Sequence, residues 1–114
     1  MSIEKFWLLE FGSNLSIFGK GVAVLETGKI FAGDSGYYYT GDYETNNGTI
    51  NAKIKVVKHN PLFISIFGDV NEFSIIFENQ NISSGLNGAT IKGHVEGQRD
   101  LQVYAKFTKI AELP

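Results

Sequence analysis

The sequence predicts an all-β fold: an eight-stranded antiparallel up-and-down β-barrel, with residues 1–114 forming one domain. Three observations lead there. Apolar and polar residues alternate with period two along most of the chain, the spacing that sends successive side chains to opposite faces of a strand. Turn formers interrupt the alternation at short intervals, and 13 glycines against 2 prolines favour tight turns over broken ladders. Most runs carry a single apolar face, and closing the sheet on itself buries those faces together and removes the exposed edges.

The strands are expected at about 5–11, 20–26, 29–33, 36–44, 48–57, 72–79, 88–96 and 100–109. The first, in "KFWLLEFG", is apolar on both faces, with Trp7, Leu9 and Phe11 on one and Phe6 and Leu8 on the other. Thr27-Gly28 separates "VAVLE" from "KIFAG". The fourth strand alternates Tyr37, Tyr39 and Tyr43 against Tyr38, Thr40, Asp42 and Glu44, with Gly41 expected to mark a bend or bulge. Asn46-Asn47-Gly48 then carries the Asn-Gly pair of a type I′ hairpin, whose two central residues need positive φ.

In the fifth strand Ile50, Ala52, Ile54 and Val56 alternate with Thr49, Asn51, Lys53 and Lys55. Phe73, Ile75 and Phe77 set the inner face of the sixth, Ala89, Ile91 and Val95 that of the seventh, and Leu101, Val103, Ala105 and Phe107 that of the eighth. Gly97-Gln98 divides the last two. The stretch "HNPLFISIFGD" resists alternation and is expected to form a short helical or irregular plug near 59–69.

Composition narrows the function classes. The chain has no cysteine, which removes disulfides, thiolate metal sites and thiol nucleophiles together. Ten basic against 12 acidic residues leave a net charge of -2, with no drive toward nucleic acid or anionic lipid. Glu10 interrupts the apolar opening after Phe6 to Leu9, too early for a secretory leader or a membrane span. The expectation is a cytoplasmic protein with no membrane and no direct nucleic-acid partner.

Gly33-Asp34-Ser35-Gly36 matches the nucleophile loop of chymotrypsin-type proteases letter for letter. A serine nucleophile needs a base and a group that orients it. The two histidines, His59 and His94, both follow Ser35, whereas that protease order places the histidine first. The four residues instead suit a tight turn. Asp42 and Glu44 share a face, as exposed carboxylates commonly do, and no His-x-x-x-His spacing exists. No catalytic residue, metal ligand or cofactor is expected, and the chain reads as no enzyme.

Two binding surfaces stand out. If the odd face of the fourth strand turns inward, Tyr37, Tyr39 and Tyr43 point into the lumen, where their hydroxyls either bond one another or water, or present polar tips to a small apolar ligand. Phe6 and Leu8 give the first strand more apolar surface than one wall can bury, which implies a protein contact, most economically a homodimer, or else cover by the 61–67 segment. Lys53, Lys55 and Lys58 make a short basic stripe beside Tyr38, a weak version of a single-strand-binding face.

The stretches "FGKGVAVLETGKIFAGDSGYYYTGDYE", "SIFGDVNEFSIIF" and "HVEGQRDLQVYAKFTKI" resemble the GrlR family, named for a bacterial negative regulator of type III secretion. The resemblance runs over nearly the whole chain. It implies a lipocalin-like eight-stranded barrel that dimerises and, in the member that names the family, negative regulation of transcription by sequestering a helix-turn-helix activator. That member's contact is ascribed to an acidic hairpin loop, and its positions correspond here to Thr45, Asn46, Asn47 and Gly48. A neutral loop does not steer toward a basic partner as four carboxylates do. The expectation is therefore a non-enzymatic GrlR-like regulator acting by protein binding, with Phe6, Leu8 and Thr45, Asn46, Asn47 and Gly48 as interface candidates. The alternative is a carrier or sensor of a small apolar ligand.

Overall fold

The alternating runs become eight strands: β1 (Lys5–Gly12), β2 (Ile17–Glu26), β3 (Lys29–Gly33), β4 (Tyr37–Asn46), β5 (Thr49–Lys58), β6 (Glu72–Asn81), β7 (Gly88–Val95) and β8 (Gln98–Glu112). The computed structural model describes residues 4–13, 17–62, 71–82 and 88–114. Each strand pairs antiparallel with the next, and β1 pairs with β8 from Lys5 opposite Glu112 to Gly12 opposite Tyr104, closing an up-and-down barrel. Lys5 reinforces the closure with an ion pair to Glu112 at 3.1 Å. No helix occurs among the described residues.

The core is the set of inward side chains that alternation selects. Leu9, Phe11, Ile30, Ile54, Val56, Ile75, Phe77 and Val103 are the largest fully buried ones. Each contributes roughly 1.5–3 kcal/mol through removal of apolar surface from water. Phe11 packs on Tyr39 with ring centroids 5.0 Å apart, and Trp7 meets Phe107 edge-on at 6.1 Å toward the other end.

The turns follow the local chemistry. Asn47 (φ 50°) and Gly48 (φ 84°) both adopt the left-handed region that a type I′ turn demands, and Thr49 Oγ1 donates to the Asn46 carbonyl at 2.7 Å. Thr27 (φ 52°) and Gly28 (φ 76°) repeat that pattern between β2 and β3. A β-branched residue is strained there. The Glu4 carboxylate accepts the Thr27 backbone N–H at 3.1 Å and so helps hold it.

Two expectations change. β2 starts three residues earlier than expected and β8 runs on to Glu112, because the ladder with β1 carries both past their clear alternation. The register of β4 against β5 is unbroken from Tyr37 opposite Lys58 to Asn46 opposite Thr49, so Gly41 marks no bulge. It is instead a point of close approach, since a Cβ there would collide with the Lys53 carbonyl oxygen and crowd Ile54. Of the expected plug, His59 to Leu62 form an exposed turn region and residues 63–69 lie outside the described residues.

Candidate functional site

The outer wall over β1, β2 and β3 is unusually apolar. Cross-strand register lines up Phe6, Val24 and Phe31 in one row and Leu8 and Val22 in the next, all on the outer face. Directly opposite residues on one face touch, so these rows form one band. Phe6, Leu8 and Val24 are half-buried by their neighbours, while Phe31 is 52% exposed and Val22 50% exposed. Tyr38, opposite Gly33 on β4, extends the band and is 44% exposed. An apolar surface this continuous is rarer on a protein than single exposed residues.

Phe6 and Leu8 therefore sit where the sequence places them, on the outside of β1. Val22, Val24 and Phe31 escaped sequence reasoning, although the signal was present in "GVAVLE", which like β1 is apolar at consecutive positions. Thr45, Asn46, Asn47 and Gly48 do not join this surface. They belong to the β4–β5 hairpin, separated from β1 by β2 and β3 on one side and by β6, β7 and β8 on the other. The six interface candidates thus fall on two separate parts of the barrel.

Next to the band the outer face turns polar and is zipped by cross-strand ion pairs. Lys29 pairs with Asp42, Lys53 with Glu96 at 2.8 Å and Lys55 with Glu72 at 3.2 Å. The Lys53 and Lys55 stripe is thereby neutralised at short range. Such exposed pairs add little stability.

Inside, Tyr37 and Tyr39 are buried and Tyr43 is half-buried. The Tyr39 hydroxyl donates to Asp34 Oδ2, and the same carboxylate accepts the Gly36 and Tyr37 backbone N–H groups on Oδ1 at 2.9 and 2.8 Å. Burial first, then the bond to the Asp34 carboxylate, pushes the Tyr39 hydroxyl far above the usual phenol range. Burial also raises Tyr43. The Tyr37 hydroxyl is buried with no hydrogen-bond partner among the described residues.

The Gly33-Asp34-Ser35-Gly36 segment is thus a turn built around one carboxylate. His59 closes over it: its Nε2 donates to the Asp34 carbonyl at 2.9 Å and its backbone N–H donates to the Gly36 carbonyl at 3.0 Å. The ring nitrogen nearest the loop is committed to a backbone oxygen. Ser35 is exposed, and its carbonyl accepts from Asn60 Nδ2 at 3.4 Å. His94 stands on β7, opposite Gln102 of β8. No group of three His, Cys, Asp or Glu side chains is placed to hold a metal ion among the described residues.

Among the described residues the lumen keeps a small apolar cavity, of about 30 Å³, lined by Trp7, Leu25, Ile50, Ile82, Ala89, Ile91 and Phe107. None of the three tyrosines borders it. A space of this size takes a water or two, or a few heavy atoms, not a drug-sized ligand. No helix of the described residues is long and apolar enough to cross a membrane. Compared with known proteins, the chain matches no protein-family model and no curated relative.

Proposed function

We propose that this barrel is a non-enzymatic, GrlR-like bacterial regulatory protein that acts in the cytoplasm by binding other proteins. The observation that carries the reading is the apolar band of Phe6, Leu8, Val22, Val24 and Phe31 on the outer wall, in which Val22 and Phe31 remain open to water. A second copy of the chain is the simplest cover, because a two-fold contact presents the same apolar band to itself. Sequestration of a transcriptional activator is the regulatory role that the family resemblance suggests. The uncharged turn at Thr45 to Gly48 argues for a partner surface other than a basic one.

The alternative, a carrier of a small apolar ligand, draws support from the wholly apolar lining of the cavity beside Trp7. Its size weighs against that role. Sedimentation velocity tests the leading reading. The expected result is a dimer at micromolar concentration that Phe31→Asp converts to a monomer without loss of folded structure. A wild-type monomer, together with no binding of a purified helix-turn-helix activator, overturns it.

A further inference from the structure

The barrel wall is uneven between β6 and β7. Other neighbouring strands pair over five residues or more, but these two pair only at Ile75 with Val95, Ile76 with His94 and Phe77 with Gly93. Past Phe77 they part. Gln80 and Asn81 stay with β5, opposite Ile50 and Thr49, while residues 88–92 stay with β8, from Gly88 opposite Thr108 to Lys92 opposite Tyr104. The cause is a bulge. Asn79 adopts φ 49° where the β5–β6 register slips between Ile50 and Ala52, and its N–H donates to Asn51 Oδ1 at 3.0 Å. A bulged strand bends, and β6 is no longer paired with β7 from this point on.

One side chain bridges the gap among the described residues. Gln80 Oε1 accepts the Lys92 backbone N–H at 2.9 Å, and Gln80 Nε2 donates to the Glu78 backbone carbonyl at 2.9 Å. A carboxamide that accepts on one side and donates on the other makes the bonds that a peptide group of an intervening strand makes. The Lys92 N–H also fixes the phase of β7: Thr90, two residues earlier, turns its N–H and carbonyl toward the same gap.

We propose that the seam between residues 78–81 and 88–92 is a docking site for an extended peptide segment of a partner protein, whose own peptide groups take the place of the Gln80 carboxamide. Such a strand runs antiparallel to one flank and parallel to the other, since β6 and β7 run in opposite directions. Its inward side chains meet Ile50, Ile82, Ala89 and Ile91 at the apolar cavity behind the seam. Its outward side chains enter a groove of about 310 Å³ that includes Lys92, His94, Arg99 and Glu78. Glu78, the one carboxylate among the described lining residues, already lies 3.9 Å from Arg99, so the groove favours acidic side chains. The matching segment alternates apolar and acidic residues. This site deepens the protein-binding reading and names a partner class, but it does not share the β1–β3 band: three strands lie between β2 and β6 and three between β3 and β7, and β8 lies between β1 and β7.

The test titrates the labelled heptapeptide acetyl-Glu-Val-Glu-Ile-Glu-Val-Glu-amide against the full chain by fluorescence anisotropy, with amide NMR to locate it. Expected are saturable binding, shifts at Gln80, Thr90 and Lys92, and none at Val22 or Phe31. Lys92→Glu should weaken binding about tenfold. Thr90→Pro, which removes an edge donor, should weaken it at least as much. Gln80→Ala should bind as well or more tightly, because no side chain has to leave. A Lys-for-Glu peptide should bind more weakly. Absence of binding to both the wild type and Gln80→Ala overturns the proposal, as do shifts confined to the Phe31 face or affinities unmoved by Lys92→Glu. Should Thr90→Pro not fold, Lys92→Glu still decides. Phe31→Asp should leave peptide binding unchanged, so failure of the dimer and failure of the seam give different results.

Discussion

The Tyr39 hydroxyl donates to Asp34 Oδ2, so the carboxylate that shapes the β3–β4 turn also satisfies a buried phenol in the barrel wall. One side chain ties a surface loop to the core. Through Oδ1 it caps Gly36 and Tyr37, and through Oδ2 it holds the ring that packs on Phe11.

Asp34→Ala should therefore destabilise the barrel by about 2–4 kcal/mol, since it removes two backbone caps and leaves a buried donor unpaired. Ser35→Ala, at an exposed position of the same turn, should change stability by less than about 0.5 kcal/mol. Urea unfolding monitored by Trp7 fluorescence measures both. Equal effects would show that the loop is not organised by the carboxylate.

The two buried tyrosines should respond oppositely to loss of their hydroxyls. Tyr39→Phe strips Asp34 of a partner and should cost about 1.5–3 kcal/mol at neutral pH. Tyr37→Phe removes a buried hydroxyl with no partner among the described residues and should be neutral or stabilising by about 1 kcal/mol. Paired thermal melts distinguish them.

Alkaline pH should unfold the wild type through Tyr39. Its folded pKa lies above the unfolded value of 10.0, so the unfolded chain loses the phenol proton first and binds fewer protons at high pH. The stabilisation is complete below the unfolded pKa and falls away as pH rises toward the folded one. Stability measured from neutral to strongly alkaline pH should drop more steeply for the wild type than for Tyr39→Phe. Parallel curves would remove Tyr39 as the cause.

Gly41→Val should be among the costliest substitutions outside the apolar core, at about 1–3 kcal/mol or more, because its Cβ would strike the backbone of β5. Thr40→Val, at the exposed neighbouring position on the other face, should be nearly silent. If Gly41 instead relaxes into a bulge, amide NMR will show the β4–β5 register shifting beyond it.

Phe107→Ala should enlarge the existing cavity and cost about 3–5 kcal/mol, with the Trp7 emission moving to longer wavelength as its edge-on partner is lost. Ala89→Val, which grows into the same space, should be neutral or stabilising. Denaturant titration of the two variants checks the size of the cavity directly.

Alternation at Ile50, Ala52, Ile54 and Val56, or at Leu101, Val103, Ala105 and Phe107, is written residue by residue, and period two alone assigns each side chain to a face. The Asn47-Gly48 turn is equally local, because its positive φ values belong to those two residue types. The strand count, the barrel and the inward set were legible for that reason. Gly41 was misread, since a glycine in a strand signals either a bulge or a close approach, and the choice depends on where the Lys53 carbonyl lies. The outer band was half legible: Phe6 and Leu8 betray it in β1, but Val22 and Phe31 join them through pairings between strands. The tie from Asp34 to Tyr39 and the seam spanned by Gln80 have no signature along the chain. Both arise because barrel closure and the bulge at Asn79 bring distant backbone groups together, and no local pattern encodes the register between strands.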